Sequence, residues 1–185
     1  MFVHWLCFIA IFAVTVINVN GETRAAVALL RSEKVVGKIV FTETTDGLKV
    51  TGNITGLDAG HYGFHVHELG DTTTCYTSGL HFNLDDNNHG GRNHTVRHVG
   101  DLGNVVFVEN GVTIARVDFV DSVISLRGRN NILGRTLVLH AEEDDLGQGG
   151  NASSLVTGNA GARVACGVIG IQSGFNSAAS TTPDL

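Results

Sequence analysis

The chain contains 185 residues, of which 18 are Asp or Glu and 12 are Lys or Arg, so its formal net charge is −6 at pH 7. An acidic chain without a run of Lys or Arg argues against nucleic acid or an anionic membrane surface as a partner. After removal of a short leader, this length corresponds to one ordinary domain with a substantial core.

The segment from Phe2 to Val19 is almost entirely apolar and is followed closely by the small residue Gly21. This pattern predicts a secretory signal peptide over residues 1–21, although no Lys or Arg precedes the apolar run. The alternative is an uncleaved membrane anchor, since the segment is close to the shortest length that spans a bilayer. We expect a secreted, extracellular protein with no membrane association in its mature form. Its domain is expected over residues 22–172 and a polar, disordered tail over 173–185.

Short alternating segments rich in Val, Ile and Thr follow the leader, and Gly, Asn and Asp interrupt them. Such alternation predicts β-strands with one face in the core, and the Asn-Gly pair at 110–111 predicts a hairpin turn. No segment predicts a helix convincingly. The strands are expected at 24–31, 35–42, 48–55, 62–68, 104–108, 112–119, 135–140 and 163–171. They predict an all-β fold, an eight-stranded antiparallel Greek-key sandwich or flattened barrel.

Two polar, Gly-rich connections, over residues 69–102 and 141–162, are too long for ordinary turns and are predicted to be functional loops. The strand before the first of them carries His65 and His67, which lie two residues apart and therefore face the same way. Imidazole is a ligand that suits copper and zinc. The remaining residues of the pattern are His81, His89, His98, Asp101 and His140. Six histidines and one aspartate in this order indicate two metal sites that share a ligand.

Two cysteines, Cys75 and Cys166, lie outside the leader. In an oxidising compartment such a pair predicts one disulfide, whereas two separate buried thiols are the alternative. Acceptor sequences for N-glycosylation occur at Asn53, Asn93 and Asn151. We favour Asn53, because the alternation of its strand turns this side chain outward.

The chain strongly resembles the secreted copper/zinc superoxide dismutases over essentially the whole mature chain, from about Arg24 to Gln172. Long blocks carry the resemblance, in the order of the family and with its ligand spacing. These blocks are GFHVHELGD (63–71), HFN (81–83), HGG (89–91), RHVGDLGNV (97–105), DSVISL (121–126), GRTLVLH (134–140), DDLGQGGN (144–151) and TGNAGARVACGVIGI (157–171).

The resemblance implies an enzyme that converts superoxide to dioxygen and hydrogen peroxide while one copper ion alternates between Cu(II) and Cu(I). It also implies one zinc ion per subunit. The implied copper ligands are His65, His67, His81 and His140. The implied zinc ligands are His81, His89, His98 and Asp101, so that His81 is the shared bridge.

Four further roles follow from the resemblance. Asp144 accepts hydrogen bonds from one ligand of each metal, which orients both rings. Arg163 is a catalytic residue that attracts the superoxide anion with a fixed positive charge, and His81 is catalytic because it takes up and returns a proton. A disulfide between Cys75 and Cys166 pins the first long loop to the last strand and holds Arg163 in place.

The second long loop departs from the family. Relatives carry glutamates and lysines there, which create a field that guides superoxide, whereas this chain has Gln148, Ala152, Ser153, Leu155 and Val156. Because such a field affects the association rate strongly, we expect weaker electrostatic steering than in typical members. Arg163 then carries most of the local positive charge.

A non-catalytic secreted copper-binding or copper-delivery protein on the same fold is the alternative function. Chaperone relatives often lack part of the copper set and carry Cys-rich motifs, whereas this chain has every copper ligand and no Cys-x-x-Cys. A copper-only relative would lack the zinc ligands and the second long loop, and both are present. The GVIGI strand over 167–171 resembles the apolar dimer surface of the family, so we expect a homodimer.

Overall fold

A computed structural model describes residues 23–172. The signal peptide predicted over 1–21 and the tail predicted over 173–185 therefore lie outside the described residues. Eight strands make up the domain. They are β1 Ala25–Arg31, β2 Val36–Thr44, β3 Gly47–Thr55, β4 Gly60–His67, β5 Asp101–Val108, β6 Ile114–Asp121, β7 Thr136–His140 and β8 Arg163–Ile171.

The strands form one closed barrel in the order β1-β2-β3-β6-β5-β4-β7-β8, and β8 pairs with β1 to close it. Every pairing is antiparallel. The connections from β3 to β4 and from β6 to β7 each pass over two strands, which is a Greek-key arrangement. The predicted all-β, eight-stranded antiparallel fold is confirmed.

The core forms because apolar residues recur at every second position of the strands, which directs one set of them into the barrel. In β2 and β3, Ile39, Phe41 and Val50 are fully buried, and β4 and β5 contribute Phe64 and Phe107. Phe82 extends this core beneath the connection between β4 and β5. Its neighbour His81 is therefore anchored to the barrel although it belongs to a loop.

Two connections, which we call the histidine loop (68–100) and the carboxylate loop (141–162), contain most of the irregular structure. The expectation of no helix is wrong in both, since a 3₁₀ turn occupies Cys75–Ser78 and a one-turn helix, α1, occupies Ser154–Thr157. Gly158 ends α1 in the left-handed conformation, at φ 64°. One turn of helix is too short to show a helical period in the sequence.

The described residues contain no helix that is long and apolar enough to cross a membrane.

A disulfide joins Cys75 of the histidine loop to Cys166 of β8, with their Cα atoms 5.7 Å apart and 91 positions apart in the chain. The predicted disulfide is thereby confirmed. Closure of a loop of this length stabilises the folded state by roughly 4–5 kcal/mol on a chain-entropy model. The bond fixes the start of the histidine loop against the barrel wall.

Candidate metal centre

Neighbouring strands bring the first group of histidines together. His65 and His67 lie on β4, and His140 ends β7, which pairs with β4. His81 joins them because its backbone forms an isolated antiparallel bridge with that of His67. All four are buried, and each offers a ring nitrogen within 4.8 Å of those of the others. The four predicted copper ligands therefore form one compact, all-nitrogen cluster.

A second group surrounds the Oδ1 atom of Asp101, at the start of β5. The Nδ1 atoms of His81, His89 and His98 lie 2.9, 3.0 and 3.2 Å from this oxygen. A tetrahedral zinc ion with bonds of about 2.0 Å requires its ligand atoms to be roughly 3.3 Å apart. Three nitrogens and one carboxylate oxygen at these separations fit a closed zinc site. His65 also lies within 4.8 Å of His81, His89 and Asp101, which places it at the junction of the two groups.

His81 belongs to both groups. Its Nδ1 atom faces Asp101, at 2.9 Å, while its Nε2 atom is buried and makes no hydrogen bond with any described residue. A buried ring nitrogen without a partner is costly unless something outside the protein binds it. The two nitrogens of one imidazole are thus directed to two different clusters, as a shared ligand requires.

Asp144 of the carboxylate loop orients one ring in each cluster. The Nε2 atom of His65 donates to its Oδ2 at 2.9 Å, and the Nε2 atom of His89 donates to its Oδ1 at 2.7 Å. These bonds leave the Nδ1 atoms of both histidines as the nitrogens that could bind a metal. Both Nδ1 atoms are buried and lack a hydrogen bond to the described part of the protein. The close approach of His89 Nδ1 to Asp101 is thus a contact without hydrogen-bond geometry.

Backbone carbonyls orient the remaining rings of the copper-type cluster. His67 Nδ1 donates to the carbonyl of Gly79 at 3.0 Å, and His140 Nδ1 donates to that of Gly161 at 3.2 Å. The Nε2 atoms of these two histidines then lie 3.3 Å apart, inside the cluster. Each tautomer therefore has a specific partner, and each leaves one lone pair for a metal.

Residues 35–169 match the family model described as copper/zinc superoxide dismutase (SODC). The chain belongs to this family. A crystal structure of the clock protein EA4 is similar to the chain, with 51% sequence identity and a TM-score of 0.78. The match covers 82% of this chain and 97% of that one. The likeness therefore extends over nearly the whole of that protein and is not limited to the histidines.

Burial keeps several histidines of this superoxide dismutase domain neutral. It lowers the pKa of His81 to about 3 and that of His140 to about 2, and it lowers the pKa of His67 further still. Neutral imidazoles retain the lone pair that a metal needs. Burial favours the neutral form of Asp101 as well, but hydrogen bonds from the surrounding histidines outweigh it and lower the pKa of this carboxyl group.

His89 behaves differently because it lies between two carboxylates. Burial alone would lower its pKa, but the carboxylate of Asp101, 3.0 Å from Nδ1, and the hydrogen-bonded carboxylate of Asp144 raise it to about 9. The pKa of Asp144 is lowered, since the bonds from His65 and His89 exceed the effect of its burial. The two carboxylates therefore make this position favourable for a cation.

Arg163 lies at the start of β8, in the wall of a cavity of about 390 Å³ that also reaches His67, His81 and His140. Its guanidinium is held by backbone oxygens, with Nη1 donating to Cys75 at 2.8 Å and Nη2 to Gly79 at 2.6 Å. The disulfide-linked loop thus holds the guanidinium in this position. The same Gly79 carbonyl orients His67, so the charged group and a ligand ring share one support.

The rim of this cavity is mainly apolar. Tyr76, Leu80 and Val156 line it and are exposed over half or more of their surfaces. No lysine lines it, and Arg163 is the one cationic residue among its described lining residues, apart from the histidines.

Two supporting residues were not identified from the sequence. Asn104 of β5 forms a reciprocal pair with the backbone of Asp144, both bonds being 2.8 Å long. Gly158 packs so closely that a Cβ atom would collide with Asp144 Oδ1 and with His89 Nε2. Both residues lie in blocks that carry the family resemblance, which is the only signal that could have found them. Their roles depend on contacts between distant parts of the chain.

The three predicted glycosylation residues lie apart from the ligands, and each is exposed. Asn93 belongs to the histidine loop and Asn151 to the carboxylate loop, whereas Asn53 lies on β3. In the barrel order β3 is separated from β7 by three strands in one direction and by three in the other. Asn53 is therefore on the far side of the barrel from His140.

Proposed function

We propose that this protein is a secreted, homodimeric enzyme that dismutes superoxide, with one copper ion and one zinc ion in each subunit. The observation that carries the proposal is the pair of buried ligand clusters joined by His81, with Arg163 in the wall of the same cavity. Two superoxide anions and two protons give one dioxygen and one hydrogen peroxide. Family membership supports this reaction, and the donor atoms support the two metals.

The donor sets differ in a way that suits two different ions. Four imidazoles that border an accessible cavity suit copper, whereas three imidazoles and a buried carboxylate suit a structural zinc ion. When bound, copper supplies a reversible one-electron couple, which zinc lacks. His81 is suited to hold a proton at Nε2, because this atom faces the copper-type cluster and has no partner among the described residues.

Arg163 supplies the positive charge that the substrate requires. Its guanidinium is about half-buried and is fixed by at least three backbone or hydroxyl oxygens of the histidine loop. Because the guanidinium is already fixed in place, neither it nor its surroundings must rearrange when a small anion binds. The cavity admits an anion the size of superoxide next to His67 and His140, so electrostatic attraction and redox chemistry coincide at one place.

Secretion and assembly are supported by different features. The apolar leader, the disulfide and three exposed acceptor asparagines suit an oxidising, extracellular environment. On β8, Val168 and Ile171 are apolar and exposed, the latter over 80% of its surface. An exposed apolar strand of this kind favours a symmetric pair of subunits.

The decisive experiment measures copper and zinc content together with the superoxide-dismutation rate of the purified, secreted protein. We expect one copper and one zinc per chain. We also expect Arg163→Ala to lower the rate by about tenfold or more, since a local field changes association rates by factors of about 10–1,000. Arg116→Ala is the matched control, because it removes the same charge from an exposed position on β6. Full copper loading without turnover would instead favour copper binding or delivery.

A further inference from the structure

The outer face of the barrel contains an apolar patch that no part of the described chain covers. We call Val36, Val106, Val108, Val112 and Ile114 the outer apolar patch. Val36 is 59% exposed, Val108 is 56% exposed and Val112 is 69% exposed. A cavity of about 530 Å³ lies against four of these residues, next to Arg116. Contiguous apolar surface on a soluble protein is normally covered or used for association.

The strand register places Asn53 next to this patch. Val36 pairs with Thr55, Thr55 pairs with Ile114, and Ile114 pairs with Val108, which gives one continuous row across β2, β3, β6 and β5. Asn53 lies two residues before Thr55 on the same face of β3, about 7 Å away. A group attached to Asn53 therefore projects directly beside the exposed row.

The side chain of Asn53 is available for attachment. It is exposed and makes no hydrogen bond to any residue that the structure describes. Its two cross-strand partners are Lys38 and Arg116, both exposed and polar, so its immediate surroundings suit a hydrated, uncharged or acidic substituent. By contrast, the Oδ1 atom of Asn151 accepts the backbone N–H of Ser154 at 2.9 Å and helps to begin α1.

We propose that Asn53 carries an N-linked glycan whose first sugars cover the outer apolar patch. The sequence Asn53-Ile54-Thr55 supplies the acceptor motif, and the patch supplies a surface against which the apolar faces of the sugar rings pack. The glycan leaves the metal cavity open because Asn53 lies across the barrel from it. The proposal rests on the proposed secretion and does not depend on dismutase activity.

The attachment is tested by intact-mass measurement of the protein secreted from cultured insect cells, before and after treatment with peptide N-glycosidase. The wild type should lose the mass of a whole glycan, and Asn53→Gln should lack that mass from the start. Thr55→Val, which destroys the acceptor motif but keeps Asn53, should also lack it. Thr55→Ser is the matched control and should keep the glycan. An unmodified Asn53 in the wild type, or retention of the protein inside the cell, overturns the proposal.

The covering role is tested with Asn53→Gln by light scattering and by binding of an apolar fluorescent dye. Loss of the glycan should raise dye fluorescence and produce species larger than those of the wild type. Val36→Lys and Val108→Lys, added to Asn53→Gln, should reverse both effects. Equal dye binding and size for the wild type and Asn53→Gln would show that the glycan covers nothing. Metal content and dismutation rate of Asn53→Gln should match the wild type, which separates this test from that of the proposed function.

Discussion

Replacement of Asp144 by alanine should weaken both metal sites and the zinc site more. Its carboxylate is buried and hydrogen-bonds one ligand of each cluster, His65 and His89, although Asp144 is not itself a predicted ligand. His65 has a second source of order, because it lies within β4 and is paired on both sides. His89 lies in the histidine loop, and its ring depends on Asp144 for its orientation. The loss should therefore fall mainly on His89.

The magnitude follows from what such outer contacts contribute. Removal of a hydrogen-bond partner of a ligand typically costs about 10- to 100-fold in metal affinity, which corresponds to roughly 1.4–2.7 kcal/mol. We expect zinc to lose affinity near the upper limit and copper near the lower. The variant also leaves the backbone N–H of Leu146 without its carboxylate acceptor, a bond of 2.7 Å. The free energy of unfolding of this variant should therefore be lower than that of the wild type by roughly 1–3 kcal/mol.

The assay is competition between metal-free protein and a coloured chelator, run separately for zinc and copper at one pH. Glu143→Ala is the control, since it removes the same charge from an adjacent residue whose side chain is 65% exposed and lies 3.2 Å from His61. Its affinities should equal those of the wild type. A larger loss for copper than for zinc, or no loss for zinc, would refute the idea that Asp144 acts by orienting His89.

Three further predictions concern rate, stability and pH. The dismutation rate of the wild type should change little with added salt. Val156→Lys at the apolar rim of the cavity should raise the rate at low salt. A steep loss of wild-type rate with added salt would contradict weak electrostatic steering. Arg97→Ala should lower the free energy of unfolding by about 3–5 kcal/mol, because it leaves Asp121 buried without its ion-pair partner at 2.9 Å. Chemical denaturation measures this loss, and a loss below about 1 kcal/mol would contradict the prediction. Metal-free protein should lose stability as pH falls below about 6.5. Three histidines have lowered pKa values in the folded state and stay neutral there, whereas the same histidines bind protons in the unfolded chain. A melting temperature that rises between pH 7 and pH 5.5 would contradict this sign.

The fold was predictable from the sequence where burial follows a simple alternation. Leu48, Val50 and Ile54 of β3 are buried and Asn53 between them is exposed, so the strand and its orientation could be deduced without neighbours. The start of β5 could not be deduced. It begins at Asp101, before the predicted residue 104, because a polar ligand pairs with His65 and gives no apolar signal.

The candidate site was predictable to a similar depth. The spacing of His65 and His67 indicates a shared direction, and the family resemblance supplies the partners. What neither shows is how the rings are held. The backbone carbonyl of Gly79 orients His67 and also accepts a hydrogen bond from Arg163. Every residue type has a backbone carbonyl, so the sequence carries no signal for this role. Likewise Gly158 is required by the closeness of Asp144 and His89, which arises only when two loops pack together.

The closure of the barrel by β1 and β8 has a practical consequence for handling the protein. Gln172 donates its backbone N–H to the carbonyl of Ala25 at 3.0 Å, so both ends of the described domain leave the barrel side by side. Arg163 lies at the other end of β8, roughly 26 Å away along an extended strand. An affinity tag or a surface tether fused at either end should therefore leave the mouth of the metal cavity accessible, and a short linker joining both ends is a feasible route to a circularly permuted chain.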